Sequence, residues 1–206
     1  MKSSLIVLAL AASPLHAATI IDSTGLTPVN QANFATGTAA DLATGAAWTF
    51  TTGSLGVENA LASIGLEGRQ TGQGTQVLTL ELWSNPADNS GTLDIANAVL
   101  LATSTNSSAL TANAISDFFF SGIMLADNTT YSVHVVGTTP GFGLVGSTSS
   151  DLVPDSRLFQ NGAFVFGGTA PNGFDASFNV VTVVPEPAAA LLGSAGLLLL
   201  LRRRRA

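Results

Sequence analysis

Short apolar runs set the fold class of this chain. Between Thr19 and Val184 they last about five to eight residues before turn-forming residues interrupt them, and no stretch keeps a 3.6-residue apolar period for twelve residues. A helix of ordinary length needs that period, whereas a strand needs only alternation. The pattern predicts an all-β domain. Its clearest strand is Gln76 to Ser84, where Leu78, Leu80 and Leu82 alternate with Thr79, Glu81 and Trp83. One face of this strand is expected to be buried and the other wet, with the register fixed because a one-residue slip would bury Glu81.

Further strands are expected at Ala18 to Asp22, Ala46 to Thr52, Ala60 to Glu67, Ala98 to Thr103 and Ile115 to Ser121. Others follow at Tyr131 to Gly137, Phe142 to Gly146, Ala163 to Gly167 and Phe174 to Val183. Nine or ten strands over this length fit a two-sheet, jelly-roll-like β-sandwich. Ser84 to Gly91 reads as a long polar loop, and Ala126 to Thr129 as a tight turn. Phe118, Phe119 and Phe120 cannot all point inward on one strand, and the outlier is expected to be covered by a neighbour.

Both ends of the chain read differently from its middle. Met1-Lys2 is a short positive region, Leu5 to Ala12 an apolar one, and Ser13 to Ala17 a helix-broken cleavage region, the pattern of a signal peptide handled by the Sec export machinery. Cleavage is expected after Ala17, with Ala18 as the alternative. At the other end, Val184-Pro185-Glu186-Pro187 precedes an apolar run from Ala188 to Leu201 and then Arg202, Arg203, Arg204 and Arg205. The prolines bar a helix from entering from upstream, so a C-terminal hydrophobic helix would begin near Ala188. It would rise roughly 21 Å, short of the ~30 Å hydrocarbon core, which suits a temporary transmembrane anchor. The arginine cluster favours a cytoplasmic C-terminus. The expected division is a signal peptide over 1–17, a β-sandwich over 18–183 and a tail over 184–206.

Proline-glutamate-proline, apolar run and arginine cluster, in that order, resemble the PEP-CTERM sorting signal of Gram-negative bacteria. The resemblance implies recognition by an exosortase, removal of the tail after an inner-membrane intermediate, and delivery to the cell surface or extracellular polysaccharide matrix. Within the domain, Ala47 to Gly53, Leu80 to Ser84, Leu100 to Thr103 and Leu125 to Tyr131 are similar to the choice-of-anchor R domain. That likeness implies an exported β-rich module and supplies no catalytic residues.

With both ends removed, Arg69 and Arg157 stand against twelve acids, a net charge near −10. This argues against nucleic acid and anionic membrane surfaces as partners, since both demand clustered bases. The absence of cysteine excludes disulfides and thiolate metal sites.

Candidate chemistry is sparse. His134, the only histidine after Ala17, sits between Val133 and Val135 on an expected strand and is expected to be exposed. It could serve as the base of a triad, but no Gly-x-Ser-x-Gly elbow accompanies it. No two acids lie two residues apart, as a strand-borne glycosidase pair would. Asp88 and Asp94 are candidates for a structural calcium ion, although Asp and Asn in such loops are above all turn formers. Trp83 and Trp48 are candidates for glycan contact, Trp83 in particular because the alternation places it on the wet face. The sequence thus favours a non-enzymatic surface or matrix protein without a cofactor, possessing a structural or adhesive sandwich that meets exopolysaccharide. A lectin-like carbohydrate-binding module is the alternative, and a glycan-acting hydrolase comes third.

Overall fold

The computed structural model describes residues 17–24, 30–69, 77–85, 93–138, 141–147, 153, 156–164 and 175–184. The signal segment, the apolar run expected to form a helix and the arginine cluster lie outside them. The described residues are all-β: β1 (Ala17–Asp22), β2 (Asn30–Phe34), β3 (Ala46–Thr51), β4 (Ala60–Glu67), β5 (Leu78–Ser84), β6 (Leu100–Thr103), β7 (Ile115–Phe119), β8 (Thr130–Gly137), β9 (Phe142–Ser147), β10 (Leu158–Gln160), β11 (Ala163–Phe164), β12 (Asp175–Ala176) and β13 (Phe178–Val183). Among them no helix is long and apolar enough to cross a membrane.

The strands form a two-layer sandwich. One layer is a six-stranded sheet in the order β11-β10-β3-β8-β5-β6. The other is a four-stranded sheet, β1-β13-β4-β7, continued by a three-stranded one, β12-β9-β2. Continuity comes from a bridge between Gly68 and Leu144 and from the Ser177 amide, which donates to the Val145 carbonyl at 2.8 Å. Successive connections from β3 to β4, β4 to β5, β6 to β7 and β7 to β8 change layer, as in a jelly roll.

Alternation explains the core between the layers. Trp48 and Phe50 of β3, the three leucines of β5, and Val133 and Val135 of β8 meet Ile64, Leu66, Phe118, Phe178 and Val180. The Trp48 and Phe178 rings lie 5.6 Å apart, tilted by 50°. Trp48 is fully buried, and its indole Nε1 has no hydrogen-bond partner among the described residues. An unpaired buried donor costs about 1–3 kcal/mol, so relief of that cost offsets part of the volume lost on shortening the ring. Trp48→Phe is therefore expected to change the unfolding free energy by less than about 1.5 kcal/mol in urea denaturation, an unusually small loss for a core tryptophan.

On the described residues the expected strands appear, several with shifted ends; Gln76, Val165 to Gly167, Phe174 and, of the expected polar loop, Pro86 to Gly91 lie outside the described residues. Phe174 to Val183 is divided, since Ser177 separates β12 from β13. Two strands, β2 and β10, were not expected. β10 has three residues, too few to show a period, and β2 joins β9 through backbone pairs from Asn30↔Gly146 to Phe34↔Phe142. The turn expected at Ala126 to Thr129 is present. Asn128 takes a φ of 48°, and the Tyr131 hydroxyl accepts a hydrogen bond from the Ala126 amide at 2.8 Å.

The phenylalanine triplet corrects one expectation. Phe118 and Phe120 are buried, but Phe119 is 52% exposed instead of covered. It projects from the outer face of β7, an edge strand. The edge itself is protected: Asn106 Oδ1 accepts from the Phe119 amide at 2.7 Å, and its Nδ2 donates to the Asp117 carbonyl at 2.9 Å. Phe119→Thr is expected to shift the unfolding free energy by less than about 0.5 kcal/mol, measured by thermal denaturation.

Candidate functional site

β5 and β8 pair so that Glu81 lies opposite His134, Trp83 opposite Ser132, and Thr79 opposite Val136. By alternation these six side chains share the outer face of the six-stranded sheet, opposite the leucine core. The sequence predicted that this face would be wet. Instead Glu81 is 3% exposed, His134 0% and Trp83 8%.

The cover is the loop between β2 and β3. Its ends are drawn together where the Ala46 amide donates to the Ala35 carbonyl at 3.0 Å, giving a compact Ω-shaped loop. Gly37 docks it on β8 by donating from its amide to the Val135 carbonyl at 2.8 Å. A side chain at Gly37 would collide with the His134 ring, so this close approach requires glycine. Leu42 descends from the loop into a small second core with Ala47, Trp83, Leu93 and Phe159.

Beneath the loop is a closed polar network. The Ala40 amide donates to Glu81 Oε1 at 2.8 Å, and Trp83 Nε1 donates to Glu81 Oε2 at 3.2 Å. His134 Nδ1 lies 3.0 Å from Glu81 Oε2, and Nε2 lies 2.8 Å from the Thr44 carbonyl. A carbonyl only accepts, so Nε2 carries a proton. The contact between Nδ1 and Oε2 then holds one further proton between acid and imidazole. Ala40 reaches Glu81 from a left-handed backbone conformation, φ 58°, which an alanine adopts only when its surroundings impose it.

This arrangement corrects three expectations at once. His134 is buried rather than exposed. Glu81 is buried in its proper register, so its solvation does not fix that register; the leucine core and the His134 pairing do. Trp83 is packed among Leu42, Ala47, Leu93 and Phe159 with 8% of its surface exposed, and Trp48 is sealed between the layers, so neither indole offers the open ring face that stacking on a sugar requires. For His134, Glu81 and Trp83 the physical reason is common, since a loop distant in sequence from β5 and β8 covers their outer face, whereas Trp48 points into the core between the layers.

An acid beside a histidine is also the pairing that orients a catalytic base. Here the nitrogen that would take a nucleophile's proton is already donating to a backbone carbonyl, and the ring has no access to solvent. The network is built as a clamp for the loop. Of the calcium candidates, Asp88 lies outside the described residues. Asp94 Oδ1 accepts from the Asn97 amide at 3.1 Å and from its Nδ2 at 3.0 Å, closing a local turn. Among the described residues, no three His, Asp or Glu side chains gather in a metal-holding group. Of the residues expected to form a sorting motif, Val184 directly follows β13, and Pro185, Glu186 and Pro187 lie outside the described residues, as do Arg202 to Arg205.

Fold and site together define an all-β sandwich whose acid–histidine pair is spent on holding a loop. No protein-family profile matches the chain, and no curated protein matches it. Among solved structures it is similar to the clostridial cysteine protease Cwp84 after propeptide cleavage, with a TM-score of 0.47 and 14% identity over 77% of this chain. The match covers 38% of that chain's length.

Proposed function

We propose that this is a non-enzymatic, exported protein of the cell surface or extracellular polysaccharide matrix, delivered there by exosortase processing of its tail. One observation carries the reading: Val184-Pro185-Glu186-Pro187, the apolar run Ala188 to Leu201 and the cluster Arg202 to Arg205 stand in the order of a PEP-CTERM signal. The register of β1 and β13 is compatible with it. Ala17 pairs with Val183, so the expected N-terminus after signal cleavage and the start of the sorting motif lie at the same pole of the sandwich. Cleavage after Ala17 then removes only the terminal rung, and the ladder from Ala18↔Thr182 onward survives processing at either end. The role of the domain is structural or adhesive, a reading supported by the use of His134 and Glu81 to fasten a loop.

Mass spectrometry of the C-terminus tests this on protein from the surface fraction of a cell that carries an exosortase. The expected species ends near Val184 to Pro187 and lacks all four arginines. Recovery of surface protein with Arg202 to Arg205 intact would overturn the sorting reading.

A further inference from the structure

The loop that covers Glu81 and His134 stops short of the end of the sheet. Two residues farther along β5 and β8, the pair Thr79 and Val136 belongs to the same outer face but is only partly buried. Beyond it Val77 and Thr138 are exposed. On one side of this uncovered stretch stands the docked loop, with Thr38. On the other stands Ser107, next to Ser108, which exchanges two backbone hydrogen bonds with Leu78 at 2.9 and 3.0 Å. The result is an open groove of about 470 Å³, within the roughly 300–1,000 Å³ common for small-ligand clefts.

Its position is fixed by the backbone. Gly37 closes the inner end, held to β8 by its own amide and by the Gly137 amide, which donates to the Gly37 carbonyl at 3.4 Å. The chemistry of the lining is uniform. Thr38, Thr79, Ser107 and Thr138 supply hydroxyls, Val77 and Val136 supply apolar floor, and no lining residue carries a charge. Among the described residues, none of the four hydroxyls is hydrogen-bonded to protein. Each is therefore able to donate and accept toward a ligand.

We infer that this groove binds a neutral saccharide chain. A sugar ring offers an apolar C–H face to Val77 and Val136 and a rim of hydroxyls to the four side chains, each of which pairs with a group that both donates and accepts. Charge selects the class further. A domain with a net charge near −10 repels polymers rich in uronate or phosphate, and the groove has no base to offset that repulsion. The inference rests on the matrix reading above and gives it a point of contact with polysaccharide that does not involve Trp83 or Trp48.

The test titrates the full chain, in a zwitterionic detergent without a sugar headgroup, with maltohexaose, cellohexaose and mannohexaose, and with an alginate hexamer as the anionic control. Ligand-observed saturation-transfer NMR reads binding. At least one neutral hexasaccharide is expected to bind saturably, and the alginate hexamer is not expected to bind full chain in which Arg202 to Arg205 are changed to Ser, since that cluster would itself attract a polyanion. Combining Thr79→Val, Ser107→Ala and Thr138→Val is expected to weaken binding at least tenfold with an unchanged melting midpoint. Should the triple variant melt lower, Ser107→Ala with Thr138→Val alters only exposed hydroxyls and is expected to weaken binding at least threefold. Silence from all three neutral probes, or equal binding by the variants, overturns the groove. The C-terminal mass reads sorting separately: a processed tail with a silent titration removes the groove alone, whereas an unprocessed tail removes sorting and leaves the titration to judge the groove.

Discussion

Glu81→Ala is expected to lower the unfolding free energy by about 3–5 kcal/mol, as when one partner of a buried pair is removed. Three groups lose their acceptor or partner together: the Ala40 amide, Trp83 Nε1 and His134 Nδ1. Trp83 and His134 lie beneath the loop, where water cannot readily replace the carboxylate, and the Ala40 amide is the loop's own bond to it. The urea midpoint should fall with little change in slope, because the surface exposed on unfolding is nearly the same. Glu81→Gln provides the control. Its carbonyl oxygen can still accept from Ala40, and its amide can donate to His134 Nδ1 while Nε2 keeps its bond to Thr44. Only the Trp83 contact is then lost, so about 1–2 kcal/mol is expected for that variant. Equal losses for alanine and glutamine would show that charge, not hydrogen-bond complementarity, holds the clamp.

The sequence disclosed the sandwich because alternation is local. Leu78, Leu80 and Leu82 report the buried face of β5 without reference to any other strand, as do Trp48 and Phe50 on β3. The same alternation sorted Thr79, Glu81 and Trp83 onto one opposite face, which was correct. It could not report that this face is covered, since burial there depends on Ala35 to Ala46 folding over strands that lie 40 to 90 residues away along the chain. Polar residues on a covered face look identical, in sequence, to polar residues on a wet one. β8 gave no better signal, since Tyr131, Val133 and Val135 alternate with Ser132 and His134 as on a strand with one wet face, although Ser132 and His134 are both fully buried. The candidate groove was hidden for a related reason, since Thr38, Thr79, Ser107 and Thr138 are common strand and turn residues that only the topology brings together.

The loop's attachment gives the second large effect. Gly37→Ala places a methyl group against the His134 ring and the Thr44 carbonyl, so either the ring or the loop must move. The ring is the less free of the two. It is fully buried and bonded at both nitrogens, whereas the loop is an added cover over a sheet whose strands pair without it. The loop is therefore expected to lift, while the six-stranded sheet keeps its ladder. Hydrogen exchange resolves the two outcomes. The Ala40 and Ala46 amides, bonded to Glu81 and to Ala35, are expected to exchange about a hundredfold faster, equivalent to about 3 kcal/mol of local stability. Amides of β5 and β8 should change far less. Because the methyl and the loss of Glu81 release the same loop, combining Gly37→Ala with Glu81→Ala should cost clearly less than the sum of the two, a non-additivity of at least about 1 kcal/mol. Additive losses, with the Ala40 amide exchanging at its original rate in Gly37→Ala, would mean that the loop is held by Leu42 and its apolar neighbours and not by the acid–histidine clamp.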